Sequence, residues 1–316
     1  MADSNVRIVS LIPSATEILA SLGLAESIVG RSHECDYPPE IRNRPICTQA
    51  RINNNDSSSQ IHEQMTNLLL SALSIYELNI DTLKELRPTH IVTQDLCDVC
   101  AVSLPQVEAA IAKLIHPSPQ IISLQSNTLG EVWADIERIG QVFNVDSVKV
   151  LENLEARVKI CRRKVAGLSV IEKPTVVCIE WTDPLMTAAN WIPELIELAG
   201  GQTLLSINGQ QSTGLSWETL VKSDPDIIIF MPCGLDLQRT QKEAESLSRQ
   251  HSDWKKLHAV NAGRVFITDG NAYFNRPGPR LVDSLEILAE ILHPEIFEYG
   301  YQDIGWKSLE IANVLV

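Results

Sequence analysis

A chain of 316 residues has room for two domains of ordinary size. Its 26 basic against 40 acidic residues give a net charge of -14, which argues against nucleic acid or an anionic membrane as partner, because both are held through basic patches. No run approaches the roughly 18–20 apolar residues of a membrane span. The opening Met1-Ala2-Asp3-Ser4-Asn5-Val6-Arg7 lacks the basic and apolar regions of a signal peptide, so the chain is expected in the cytoplasm, or in the periplasm if a leader was lost. Seven cysteines, odd in number and irregular in spacing, form no disulfide framework.

In chain order, apolar runs predict strands at Ile8–Ile12, Ile28–Arg31, His90–Gln94 and Ile121–Leu124. Helical spacing follows the polar stretch Asn53 to Ser59, with Met65, Leu68, Leu69 and Leu73 on one face of Ile61–Leu73. Leu129–Phe143 is amphipathic through Val132, Ile136, Ile139 and Phe143. A second helix, Val148 to Leu168, carries Cys161 with no evident partner. Further strands are predicted at Thr175–Ile179, Ile227–Phe230 and Val265–Thr268, and a closing helix at Leu281–Ile291. Cys178 falls in a strand and is expected to be a small core hydrophobe.

Several units occur twice. Ile8 to Ile12, Pro13, Thr16 to Leu19 and Gly23 correspond to Thr175 to Ile179, Trp191 to Ile196 and Gly200-Gly201. Ile80 to Leu83, Arg87-Pro88 and Ile91-Val92 correspond to Ser216 to Leu220, Asp224-Pro225 and Ile227-Ile228. Each copy reads as a short helix ended by proline and followed by a buried strand. The fold expected is α/β: two similar lobes with mostly parallel sheets, joined by a single long helix. Its parts are a first lobe over 6–128, a helical connector over 129–168, a second lobe over 174–300 and a tail over 301–316. A ligand is expected in the cleft between the lobes.

Arg7 to Leu11, Pro13-Ser14-Ala15-Thr16-Glu17, Gly30, Asp36-Tyr37-Pro38-Pro39, Gly200-Gly201, Arg276 and Pro279-Arg280 together resemble the cobalamin and ferric-siderophore binding proteins of ABC importers. The resemblance runs from Arg7 to about Ile296. It implies two α/β lobes bridged by one helix, and a bound corrinoid such as cobalamin or another metal chelate. It also implies an ABC transporter permease as partner, met by an acidic residue on each lobe. Glu218 matches the second-lobe position, and Glu108 lies near the first. The aromatic rings that line the cleft in cobalamin binders fall here at Glu34, Gln94 and Ser212, while Tyr273, followed by Phe274, is retained.

Loops after strand C-termini line the binding crevice of parallel sheets, which selects Glu34, Tyr37, Gln94, Glu180, Trp181, Asp183, Tyr273, Phe274 and Arg276 as ligand-binding candidates. Trp181 can stack on a flat ligand or cover the core. Arg276 can hold a carboxylate or phosphate, or form a structural ion pair. His33, Cys35, Cys97 and Cys100 make a Cys₃His complement suited to Zn²⁺; the pair Cys97 and Cys100 is equally open to a redox or an inert reading. No phosphate loop or nucleophile elbow is present, so no enzymatic activity is expected. The rival expectation is a cytosolic protein using a cleft His/Cys metal site or a redox pair in an enzymatic or regulatory role.

Overall fold

The computed structural model describes residues 5–53, 55–70, 75–94, 105, 107–109 and 118–310. The chain divides into two compact units. One takes in Met1–Asp56, Gln60–Ser126 and Gly130–Asn153; the other takes in Ser57–Ser59, Asn127–Leu129 and Leu154–Val316.

The first unit is built on β1 (Ile8–Ser10), β2 (Ile28–Arg31), β5 (His90–Gln94) and β6 (Gln120–Leu124), in the order β2-β1-β5-β6. All neighbours are parallel. Parallel strands covered on both faces read as continuous apolar runs rather than as alternation. Accordingly Ile8, Val9, Ile91 and Val92 are all fully buried. Two short strands, β3 (Thr48–Ala50) and β4 (Tyr76–Leu78), pair antiparallel outside this sheet. Helices α1 (Pro13–Ser21), α2 (Ser58–Leu70), α3 (Ile80–Leu86) and α4 (Leu129–Val142) follow in chain order. The core joins Val9, Leu11, Cys47, Ile75, Leu83 and Ile91, with Met65 and Leu68 packed against it.

Helix α5 (Val148–Val165) contains the last point, between Asn153 and Leu154, at which the chain leaves the first unit for the second. The second unit holds β7 (Thr175–Thr182), β8 (Leu185–Thr187), β9 (Gln202–Thr203), β10 (Thr213–Gly214), β11 (Ile227–Phe230), β12 (Val265–Thr268) and β13 (Trp306–Ser308). β9, β7, β11 and β12 form a parallel set in the same order as the four strands of the first sheet. β8, itself paired with β10, lies antiparallel along the later part of β7, beside which β9 takes the earlier part, and β13 lies antiparallel along β12. The weakly patterned tail therefore supplies an edge strand. Its helices are α6 (Ile192–Leu198), α7 (Trp217–Ser223), α8 (Leu237–Gln250), α9 (His258–Asn261) and α10 (Leu281–Leu292).

The repeat extends to the capping atoms. Asn79 accepts the Thr82 N–H at the start of α3, and Ser216 accepts the Thr219 N–H at the start of α7. Such side chains satisfy donors that a helix start leaves without partners. Both helices end in a left-handed residue, Arg87 at φ 44° and Asp224 at φ 37°, followed by proline. Cys178 is buried, and burial pushes its thiol far up. Cys161, solitary in sequence, has its sulfur 3.2 Å from the Tyr299 hydroxyl.

Candidate functional site

Parallel sheets put all strand C-termini on one edge, and the residues just beyond them are the ones a ligand meets. In the first unit β1 ends at Ser10, and Pro13 then opens α1 from an extended Ile12. Proline costs nothing at a helix start, where its missing N–H had no helical partner. One turn on, the Thr16 hydroxyl lies 2.8 Å from Ser10 Oγ and 3.0 Å from Cys35 Sγ. Cys35 is fully buried.

β2 ends at Arg31, whose guanidinium donates to the carbonyls of Ser32, Cys35 and Arg42 at 3.0–3.1 Å. It is spent on shaping the loop that presents His33 and Glu34. His33 Nδ1 is 2.7 Å from Thr48 Oγ1, and Thr48 donates its own proton to Ser32 Oγ at 3.0 Å. Nδ1 must therefore carry the imidazole proton, leaving a lone pair on the buried Nε2. Burial, helped by the Arg31 charge, pushes the His33 pKa down and keeps the ring neutral. Glu34 accepts the Tyr76 hydroxyl at 2.9 Å. Tyr37 is exposed and precedes a cis proline, Pro38. Gln94, the last residue of β5, is buried.

The sequence-predicted metal set is only half in view. His33 and Cys35 bond to different partners, Thr48 and Thr16, while Cys97 and Cys100 lie outside the described residues. Among the described residues no group of three or more His, Cys, Asp or Glu side chains could hold a metal ion.

In the second unit β7 ends in Glu180-Trp181-Thr182. Ser212 donates to Glu180 Oε2 at 2.6 Å and accepts the Ala189 N–H at 3.2 Å. Burial pushes the Glu180 carboxyl up, although the Ser212 bond opposes this. Trp181 is half-buried, with its indole N–H on the Asp183 carbonyl at 3.0 Å; Asp183 itself is exposed. Beyond β12, Asp269 caps the turn Gly270–Phe274 by accepting the Ala272 N–H at 2.7 Å. That turn presents Tyr273, which packs edge-on against Tyr301 and lies under the Arg280 guanidinium.

Two expectations change here. Phe274 is 1% exposed, with its carbonyl taking the Trp191 indole N–H at 2.9 Å, so its ring fills the interior and offers no face to a ligand. Arg276 is also buried and donates to Asn271 Oδ1 at 3.0 Å. Its charge acts on Asp269, which favours the structural reading of this arginine. Glu218 is exposed in the first turn of α7, and Glu108 is exposed as well.

Sequence reasoning passed over three residues at the first edge: Ser14, Thr93 and Ser123. Their hydroxyls are buried without a hydrogen-bond partner. Position was the available signal, since Ser14 follows β1 by four residues and Thr93 and Ser123 sit side by side in β5 and β6.

The periplasmic binding protein family matches residues 8–272, and this chain belongs to that family. Among its relatives is an uncharacterized ABC transporter substrate-binding lipoprotein of Bacillus subtilis, YvrC. It is 23% identical over 300 residues, covering 92% of this chain and 81% of the relative. The vitamin B12-binding protein of Vibrio cholerae is 24% identical over 290 residues, covering 89% and 86%. The solved structure of Staphylococcus aureus IsdE complexed with heme superposes with a TM-score of 0.67 at 19% identity, covering 92% of this chain and all of that one. The two-lobed α/β class expected from the sequence repeat is the class of these proteins.

Proposed function

We propose that this chain is the substrate-binding component of an ABC importer and takes a corrinoid or another metal chelate. The observation that carries the reading is the duplicated parallel sheet, with polar and aromatic side chains gathered beyond its strand ends in both units. Family membership supports it, as do relatives named for vitamin B12 and heme. Glu34, Tyr37 and Gln94 in the first unit, with Glu180, Trp181, Asp183 and Tyr273 in the second, are the proposed contacts. Exposed Glu218 is the proposed meeting point with a permease. The family consists of binding proteins, and no enzymatic role is assigned.

No described group favours the zinc or redox reading. The cytoplasmic location expected from the sequence finds no support in relatives whose names speak of a lipoprotein or of the periplasm, whereas the periplasmic alternative does.

Calorimetry with cyanocobalamin and with hemin tests the proposal. Saturable binding of either, weakened at least tenfold by Trp181→Ala or Tyr273→Ala in a folded protein, supports it. Binding of neither sinks it.

A further inference from the structure

The family match ends at residue 272. Tyr273, an aromatic contact proposed for the ligand in the second unit, follows it directly, and three groups around its ring come from further along the chain. Its ring centroid lies 5.9 Å from that of Tyr301 at an interplanar angle of 80°, the edge-to-face arrangement that aromatic quadrupoles favour. The Arg280 guanidinium stands 5.6 Å from the ring centroid, within range of cation–π attraction. Gly305 is the third: a Cβ there would come within 3.3 Å of Tyr273 Cε2 and 2.7 Å of Ile287 Cδ1. A residue without a side chain lets the ring lie this close to the backbone. The turn itself is held from two sides. The Tyr273 carbonyl accepts the Ser284 hydroxyl at 2.8 Å, and Asp269 donates its N–H to the Gly305 carbonyl at 2.9 Å.

The stretch that carries Tyr301 and Gly305 is pinned in turn from α10. Glu290 accepts the N–H groups of Tyr299, Gly300 and Tyr301 and the indole N–H of Trp306. The Tyr301 hydroxyl donates to Glu286 Oε2 at 3.1 Å, an oxygen that also takes Arg157 Nη2 at 2.5 Å. Burial, joined by the charges of Asp283 and Glu286, pushes the Tyr301 pKa far up, so its hydroxyl stays protonated and remains a donor. The edge strand pairs with β12 through Trp306, Lys307 and Ser308, and it needs no ring from Tyr301 to do so. That ring goes to the turn that presents Tyr273.

We propose that Tyr301 and Gly305 are positioning residues of the ligand site: the tail holds the Tyr273 ring in the orientation a ligand meets, and tail docking and ligand binding are coupled. This rests on the substrate-binding reading above and adds to it a segment that lies beyond the strand ends. A half-buried ring free to change rotamer must be ordered when a ligand arrives, and fixing it beforehand removes that cost. Linkage makes the coupling reciprocal. A ligand seated on Tyr273 tightens the docking of the tail by the factor that the docked tail tightens the ligand.

The test titrates the full chain with cyanocobalamin and with hemin by calorimetry. Tyr301→Leu removes ring and hydroxyl; Tyr301→Phe removes the hydroxyl alone. Affinity for the bound probe should fall about fivefold for Tyr301→Leu, the size of a lost ring pair, and stay within about twofold of the parent for Tyr301→Phe. In a Tyr273→Ala background Tyr301→Leu should cost nothing more, because a residue acting through Tyr273 has nothing left to act on. Gly305→Ala, which leaves the Tyr301 ring in place and presses on Tyr273, gives a second variant with an expected loss of about threefold. Hydrogen exchange supplies the reciprocal readout: the probe should slow exchange over 299–301 in the parent and not in Tyr273→Ala. Affinity of both Tyr301→Leu and Gly305→Ala within twofold of the parent, or equal losses with and without Tyr273, overturns the positioning role and leaves the substrate-binding reading standing. Unchanged exchange over 299–301 overturns the coupling. Binding of neither probe overturns the inference and the reading together.

Discussion

The two units share a frame and differ in what they put at its edges. Strands β2-β1-β5-β6 and β9-β7-β11-β12 have the same order and direction. Helices α3 and α7 begin with the same kind of cap and end in the same left-handed residue before proline. Buried polar chemistry divides them. Among the described residues the first unit leaves six buried polar atoms without a partner, on Ser14, Arg31, His33, Thr93, Gln94 and Ser123. The second leaves three, on Asn190, Thr240 and Trp254, and gathers bonded carboxylates along α10. Arg157 holds Asp283 and both oxygens of Glu286 at 2.5–2.9 Å. Glu290 takes the backbone N–H groups of Tyr299, Gly300 and Tyr301 and the indole of Trp306. Apolar strands and turn chemistry thus suffice to keep the frame, and the polar residues are free to differ: in the second unit they fasten β13.

The sharpest break of this contrast is Glu290→Ala. Its carboxylate is 5% exposed and serves four donors, which the substitution leaves buried without a partner. Each buried donor left unbonded costs roughly 1–3 kcal/mol, so the losses add to several kcal/mol. Denaturant unfolding should show a loss of that order, together with faster hydrogen exchange over 299–308. Ordinary exchange there would mean that β13 holds without its clip.

This dependence was not legible in the sequence. Glu290 sits inside a closing helix that the periodicity predicts correctly, and nothing local marks it as a receptor for N–H groups nine to eleven residues further on. The same holds for Cys161, whose partner Tyr299 is 138 residues away. The long apolar runs and the capped turns were legible because three to eight consecutive residues encode them. β9, β10 and β13 have two or three residues each, too few for alternation to register. At the candidate site, strand-end position selected Glu34, Gln94, Glu180 and Tyr273. It could not say which way a ring would turn, and Phe274 turned inward.

Two glycines compare the tightness of the units on an equal footing. A Cβ on Gly270, in the turn after β12, would land on the carbonyl oxygen of Pro232, a backbone atom with little room to retreat. A Cβ on Gly30 of β2 would meet Leu86 Cδ1 at 2.6 Å and Cys47 Sγ at 2.7 Å, both ends of side chains. Overpacking costs about 1–3 kcal/mol. Gly270→Ala should fall at the upper end of that range and Gly30→Ala at the lower, as measured by denaturant midpoints. Equal losses would show that the first core yields no more readily than backbone does.

The smallest expected effect concerns a candidate contact whose charge the protein itself opposes. Burial raises the Glu180 pKa, so folding favours the protonated carboxyl. The stability this group contributes is complete below the ordinary carboxylate range and is lost as pH rises through its folded value. Glu180→Gln preserves an acceptor for the Ser212 hydroxyl and removes the charge. The variant should therefore melt higher than the parent at pH 8, with the gap closing as pH falls towards 4. A gap that widens on acidification would mean that Glu180 is held as a favourable anion, and a cationic group would then have to lie beside it.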